Sequence, residues 1–61
     1  MNNRKSAEEL KTEVRNYLIN TEHYSVEKTE EWIKLYEPDF PEFLRDNWSL
    51  SGIATAMRMG Y

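Results

Sequence analysis

The chain has 61 residues, a net charge of −3 and no cysteine. A chain of this length forms at most one domain, and such a domain buries only about 60% of the surface that its unfolded form exposes. Without cysteine it has no disulfide bond, no thiolate metal site and no cysteine nucleophile, which fits a reducing compartment. We therefore expect one small domain over residues 1–61, with residues 1–5 disordered.

The first predicted helix covers residues 6–20. Ser6 followed three residues later by Glu9 is a capping box, in which the hydroxyl accepts a hydrogen bond from a free amide and the carboxylate reaches back. Apolar residues then recur at the helical period and form one stripe: Leu10, Val14, Tyr17 and Leu18. The stripe predicts a helix that buries one face.

The second predicted helix covers residues 25–37. Ser25 is a good N-cap residue, and Pro38 stops the helix because the residue before a proline is pushed out of the helical region. Three- and four-residue spacing predicts an inward face made of Val26, Thr29, Trp32, Ile33 and Tyr36. Glu30 and Lys34 lie one turn apart, and this spacing predicts an ion pair on the outside of the helix.

The third predicted helix is short and covers residues 39–47. Asp39 and Glu42 repeat the capping pattern, and Pro41 falls in the first turn, where its missing amide donor does no harm. The side chains expected to face inward are those of Phe40, Phe43 and Leu44.

The fourth predicted helix covers residues 49–59. Ser49 can cap its first turn, and Gly60 is the expected terminator because glycine readily adopts the left-handed conformation. The buried stripe of this helix is predicted to be Leu50, Ile53, Ala54 and Met57.

Five of the eight aromatic residues lie between Glu31 and Leu50. Each large aromatic side chain removes about 150–250 Å² from water when it is buried, so this segment is expected to supply most of the core. We predict an all-α fold, a compact irregular and orthogonal array of three to four short helices. Its centre is expected to be Trp32, Phe43 and Trp48.

The sequence contains no pattern that indicates catalysis. His23 is the only histidine and is predicted to be an exposed residue between two helices. Two glycines cannot build a phosphate-binding or nucleotide-binding loop. The carboxylates are expected to be solvated or to cap helices rather than to act as an acid–base pair. We predict no enzyme activity, no cofactor and no metal site.

Charge is unevenly distributed along the chain. Residues 20–46 carry eight acidic and three basic side chains, whereas the segments on either side are slightly positive. We predict a small protein-interaction module, of the kind that regulates or inhibits a partner. Its binding surface is expected to be an acidic face with Glu30, Glu31 and Glu37, or an apolar C-terminal end with Met59 and Tyr61.

Nucleic-acid binding is the alternative function. It would use the basic residues of the first helix, Arg4, Lys5, Lys11 and Arg15. The acidic middle of the chain disfavours it, because nonspecific affinity for nucleic acid comes from neutralised phosphates.

The remaining expectations concern location and assembly. No apolar stretch approaches the roughly 18 residues that span a bilayer, and the first residues do not have the pattern of a secretory signal. We therefore expect a cytoplasmic protein without membrane contact, with homodimer formation left open. In size and style the sequence resembles the small accessory proteins of phages and prophages, a likeness that rests on no particular residue.

Overall fold

Four α-helices make up the fold of the computed structural model, which describes residues 6–60. They are α1 (Ala7–Asn16), α2 (Val26–Leu35), α3 (Phe40–Arg45) and α4 (Leu50–Met59). A π turn, Tyr17–Thr21, continues α1, and a 3₁₀ turn, Glu37–Asp39, joins α2 to α3. Helix of these kinds accounts for 80% of the described residues, which contain no strand. The all-α prediction is confirmed, while the disorder predicted for residues 1–5 lies outside the described residues.

Serine hydroxyls begin three of the four helices, as predicted. Ser6, Ser25 and Ser49 each have extended backbone, and each hydroxyl accepts a hydrogen bond at 3.0–3.2 Å from the amide three residues later. The capping box is complete at Ser6, because the carboxylate of Glu9 accepts a hydrogen bond from the Ser6 amide at 3.2 Å. These bonds satisfy amides that have no partner within a helix.

Asp39 does not cap α3, so that prediction is wrong. Its backbone already has helical angles, with φ −91° and ψ −12°, and its side chain makes no capping hydrogen bond. The cause is the 3₁₀ turn Glu37–Asp39, which leads directly into α3. A side-chain cap requires extended backbone at the cap position, and Asp39 lacks it.

Left-handed residues follow three of the helical segments. They are His23 with φ 66°, Asn47 with φ 59° and Gly60 with φ 80°. After Asn47, the amide of Trp48 donates to the carbonyl of Phe43 at 3.0 Å, which is the Schellman pattern of helix termination. The predicted terminator Gly60 is confirmed, whereas Asn47 performs the same role without having been predicted.

The first helix lies at the centre of the packing. The buried residues of this segment are Leu10 and Val14 of α1 and Leu18 of the π turn that continues it, and α1 contacts each of α2, α3 and α4. The inward stripe predicted for α1 is therefore confirmed for these three residues. The other buried apolar residues pack around it: Ile33, Tyr36, Phe40, Phe43, Ile53, Ala54, Ala56 and Met57.

Neither tryptophan lies at the centre of the core, which corrects the prediction of a core built on indole rings. Trp48 is 39% exposed and packs one face against Phe43, with ring centroids 4.9 Å apart. Trp32 is half-buried at the edge of the core. Trp48 follows the left-handed Asn47, so it lies outside the end of α3 and covers the core rather than filling it. Phe43, the third residue of the predicted centre, is buried as expected.

The inner side of α2 provides one hydrogen bond to α4 and one buried hydroxyl without a hydrogen-bond partner in the described residues. The Tyr36 hydroxyl donates to the carbonyl of Ala56 at 3.3 Å and so links α2 to α4. Thr29 is fully buried, and its hydroxyl has no hydrogen-bond partner among the described residues. Burying a hydroxyl without a partner costs about 1–3 kcal/mol by mutational measures. The core therefore retains one unfavourable group.

Candidate functional site

An open groove of about 530 Å³ runs along the outer face of α2. We call it the outer groove. It is lined by Lys28, Glu31, Trp32, Lys34, Leu35 and Pro38. The helix supplies all of these residues except Pro38, which belongs to the 3₁₀ turn that follows. The backbone beneath the groove is regular helix, so a partner that binds there does not have to order a loop.

Trp32 is held in place at one side of the groove. The ring of Tyr24 meets it edge to face, with centroids 4.8 Å apart and an interplanar angle of 75°. The ammonium group of Lys28 lies 5.0 Å from the centroid of the Trp32 ring, within the range of a cation–π contact. The indole is thus oriented by its neighbours while part of it stays accessible.

Leu35 is the most exposed apolar residue of this face, at 69%. The period of the helix explains its position. Ile33 points into the core, and a residue two positions further along a helix is rotated by about 200°, to the opposite side. Pro38 continues the apolar surface beyond the end of α2. The segment between Glu31 and Leu50, which was expected to supply most of the core, thus contains an exposed leucine.

The acidic residues near the groove are paired with cations of the same chain. Arg15 of α1 binds Glu30 at 2.5 Å, and Lys11 of α1 binds Glu37 at 2.9 Å. Glu30 therefore does not pair with Lys34 as the spacing had predicted. One ion pair connects α1 to α2, and the other connects α1 to the 3₁₀ turn after it. They leave Lys34 without a carboxylate within 4.0 Å among residues 6–60.

The Lys11–Glu37 contact shifts both partners toward their charged forms. The hydrogen bond from Lys11 lowers the pKa of Glu37 below its ordinary value of 4.5. The hydrogen bond to Glu37, together with a second one to Glu8, raises the pKa of Lys11 above its ordinary value of 10.5. At neutral pH the pair is fully ionised and links α1 to the turn after α2.

The predicted acidic residues lie on or beside the outer groove. Glu31 lines it and is 4.0 Å from Lys28, whereas Glu30 and Glu37 lie next to it in their ion pairs with α1. The acidic face remains a prediction, but each of its three carboxylates already has a cation of the same chain within 4.0 Å.

The predicted C-terminal surface is separate from the groove. Met59 is 62% exposed at the end of α4 and does not line the outer groove. Tyr61 lies outside the described residues. The basic residues predicted to bind nucleic acid fall into two groups. Arg4 and Lys5 lie outside the described part of the chain, and Lys11 and Arg15 are bound to carboxylates.

Sequence reasoning missed the apolar part of the groove. Trp32 was assigned to the core, and Leu35 and Pro38 were given no role at a site. The available signal was register: if Ile33 and Tyr36 face inward, Leu35 must face outward. Helical period alone could not show that Lys34 lacks a carboxylate partner, because the Arg15 that binds Glu30 comes from another helix.

Two further features of the described residues concern metal ions and membranes. His23 is exposed, as predicted, and residues 6–60 contain no group of three or more histidine, cysteine, aspartate or glutamate side chains placed to hold a metal ion. In the same part of the chain, no helix is long and apolar enough to cross a bilayer. Comparisons with protein-family models, with curated proteins and with solved structures find no match for this chain.

Proposed function

We propose that this protein is a small protein-binding module and that the outer groove is its binding site. The observation that carries the proposal is the exposed apolar surface of Leu35 beside Trp32 and Pro38. A domain of 61 residues has little apolar surface to spare, because its core must offset the entropy of the whole chain. Surface of this kind on a rigid helix is what a partner protein buries.

The composition of the groove fits a binding role. Tryptophan is enriched among the residues that dominate binding energy, and it is most effective where neighbouring groups exclude water. Trp32 is fixed between Tyr24 and Lys28, so binding would cost it little side-chain entropy. Such a module regulates or inhibits by covering a surface of its partner.

The charge arrangement favours this surface over the predicted acidic face and over the basic residues of the first helix. Glu30 and Glu37 have cations of their own, which weakens their attraction for a basic partner. Lys11 and Arg15 are neutralised by the same contacts, which weakens their attraction for phosphates. The outer groove combines accessible apolar surface with a cation that has no partner in residues 6–60.

The test compares two exposed aliphatic residues of α2. Leu35→Gln changes the groove, and Val26→Gln changes a side chain that is 59% exposed but does not line it. Wild type and both variants are immobilised, and the proteins captured from host lysate are quantified by mass spectrometry. We expect a set of partners that Val26→Gln retains and Leu35→Gln loses. Circular dichroism of both variants confirms that the fold is unchanged.

Capture that is the same for all three proteins would contradict the proposal, because no partner would then depend on the groove. Loss of capture with Val26→Gln alone would assign binding to the N-terminal end of α2 instead. Loss with Met59→Gln and retention with Leu35→Gln would favour the C-terminal surface.

A further inference from the structure

We infer that the occupant of the outer groove is an acidic segment of a partner protein, which inserts an apolar side chain against Leu35, Pro38 and Trp32 and places a carboxylate at Lys34. The inference rests on the proposed function and specifies the chemistry of the partner. It follows from which charges at the groove are already paired and which are not.

Lys34 is the cation left available at the groove. Glu30, one turn before it, is bound to Arg15, and Glu37, three residues after it, is bound to Lys11. Lys34 makes no direct contact with Glu37, and its charge lowers the pKa of that carboxyl only from a distance. No carboxylate of residues 6–60 lies within 4.0 Å of its ammonium group. A carboxylate of a partner would complete this position.

Lys28 adds positive charge at the other end of the groove. Its ammonium lies over the Trp32 ring and is 4.0 Å from Glu31, the limit of an ion pair. Glu31 is thus the one acidic residue that lines the groove, against two lysines. The charged residues that line the groove are thus two lysines and one glutamate, on a chain whose net charge is −3. Complementary charge speeds encounter and excludes wrong partners, so an acidic segment is favoured over a basic one.

A second copy of the chain fits this surface less well. Twofold interfaces bring the same patch of both copies together. Only a residue close to the axis meets its own copy, so Lys34 could face a carboxylate of a second copy's groove. The one carboxylate that lines the groove is Glu31, and it already lies 4.0 Å from Lys28. An acidic partner offers Lys34 a carboxylate that has no such competing cation.

The test is a selection from a library of random peptides displayed on phage. Wild-type protein is the bait, and peptides that also bind Leu35→Gln are removed. We expect the remaining peptides to share a leucine, phenylalanine or tryptophan with aspartate or glutamate within about one helical turn of it. Synthetic peptides of the consensus are then measured for affinity.

Variants of the protein assign the charge. Lys34→Glu is expected to weaken binding of the acidic consensus peptide several-fold, and a peptide with lysine in place of its acidic residues should recover part of that loss. Arg45→Gln removes an exposed cation of α3 that does not line the groove, and it should leave the affinity unchanged.

The possible failures are distinguishable. If no peptide depends on Leu35, the proposed function itself fails. If Leu35-dependent peptides carry basic or neutral flanks, or if Lys34→Glu has no effect, the groove binds protein but the acidic partner is wrong. If sedimentation shows a dimer that Leu35→Gln dissociates, the occupant is a second copy and the inference is overturned.

Discussion

The two faces of α2 differ in almost every property that packing controls. The inner face is buried and holds Thr29, Ile33 and Tyr36, whereas the outer face exposes Leu35 and opens into the groove. Both faces contain large apolar side chains and both contain polar groups. The difference shows that apolar character alone does not decide burial; register relative to α1 decides it.

This comparison separates stability from binding along one helix. A substitution on the inner face removes contacts of the core, and a substitution on the outer face removes surface that is open to water. Free energies of unfolding and affinities should therefore respond to different residues, although these residues are only one or two positions apart in the sequence.

The largest expected effect is that of Ile33→Ala. Truncating a buried isoleucine costs about 2–5 kcal/mol, which is comparable with the whole stability expected of so small a domain. We expect the variant to be largely unfolded at urea concentrations at which wild type is still folded. Leu35→Ala is the matched control on the outer face. Equal destabilisation by both substitutions would contradict the assignment of the two faces.

Thr29→Val is expected to stabilise the protein. The substitution keeps the shape of the side chain and removes a buried hydroxyl that has no partner in the described residues, so a gain of about 1–3 kcal/mol follows. Urea denaturation measures it. Thr55→Val is the control, because the Thr55 hydroxyl is exposed and donates to the carbonyl of Ser51 at 2.8 Å. Destabilisation by Thr29→Val would mean that the hydroxyl makes a hydrogen bond in solution.

Acid should weaken the contact between α1 and the turn after α2. Because the pKa of Glu37 is lowered by folding, its contribution is present above the ordinary value of 4.5 and is lost as the pH falls through the folded pKa. Glu37→Gln should therefore flatten the loss of stability as the pH falls below the ordinary value of 4.5. Glu27→Gln, at an exposed carboxylate of α2, is the control. If the stability of Glu37→Gln falls with pH as steeply as that of wild type, the Lys11–Glu37 pair contributes nothing to stability.

The smallest expected change in stability is that of Leu35→Gln. An exposed residue away from special backbone or buried partners changes the free energy of unfolding by about 0.5 kcal/mol or less. Urea denaturation should thus give nearly the wild-type value, while the affinity for a partner falls. A loss above about 2 kcal/mol would place Leu35 in the core and remove the basis for the groove.

Much of the fold could be predicted because its signals are local. A serine cap requires only an amide three residues later, and the stripe of Leu10, Val14 and Leu18 requires only the helical period. Gly60 likewise needs no distant partner. These features were predicted correctly and are found in the structure.

The errors concern features that depend on tertiary packing. Trp48 was expected inside because it is large and aromatic, but the left-handed Asn47 before it redirects the chain. The Glu30–Lys34 pair was expected from spacing, but α1 presents Arg15 to the same carboxylate. The candidate site likewise depends on contacts between helices. The sequence therefore indicated an acidic segment there and missed the groove.

Since α1 packs against each of the other three helices, no helix can detach without uncovering it. We therefore expect the described part of the chain to melt cooperatively, as one unit. A ligand that occupies α2 alone would then protect the whole of that unit by mass action, by about 2.7 kcal/mol at a hundredfold excess over its dissociation constant. Thermal shift thus becomes a simple screen for partners of this protein.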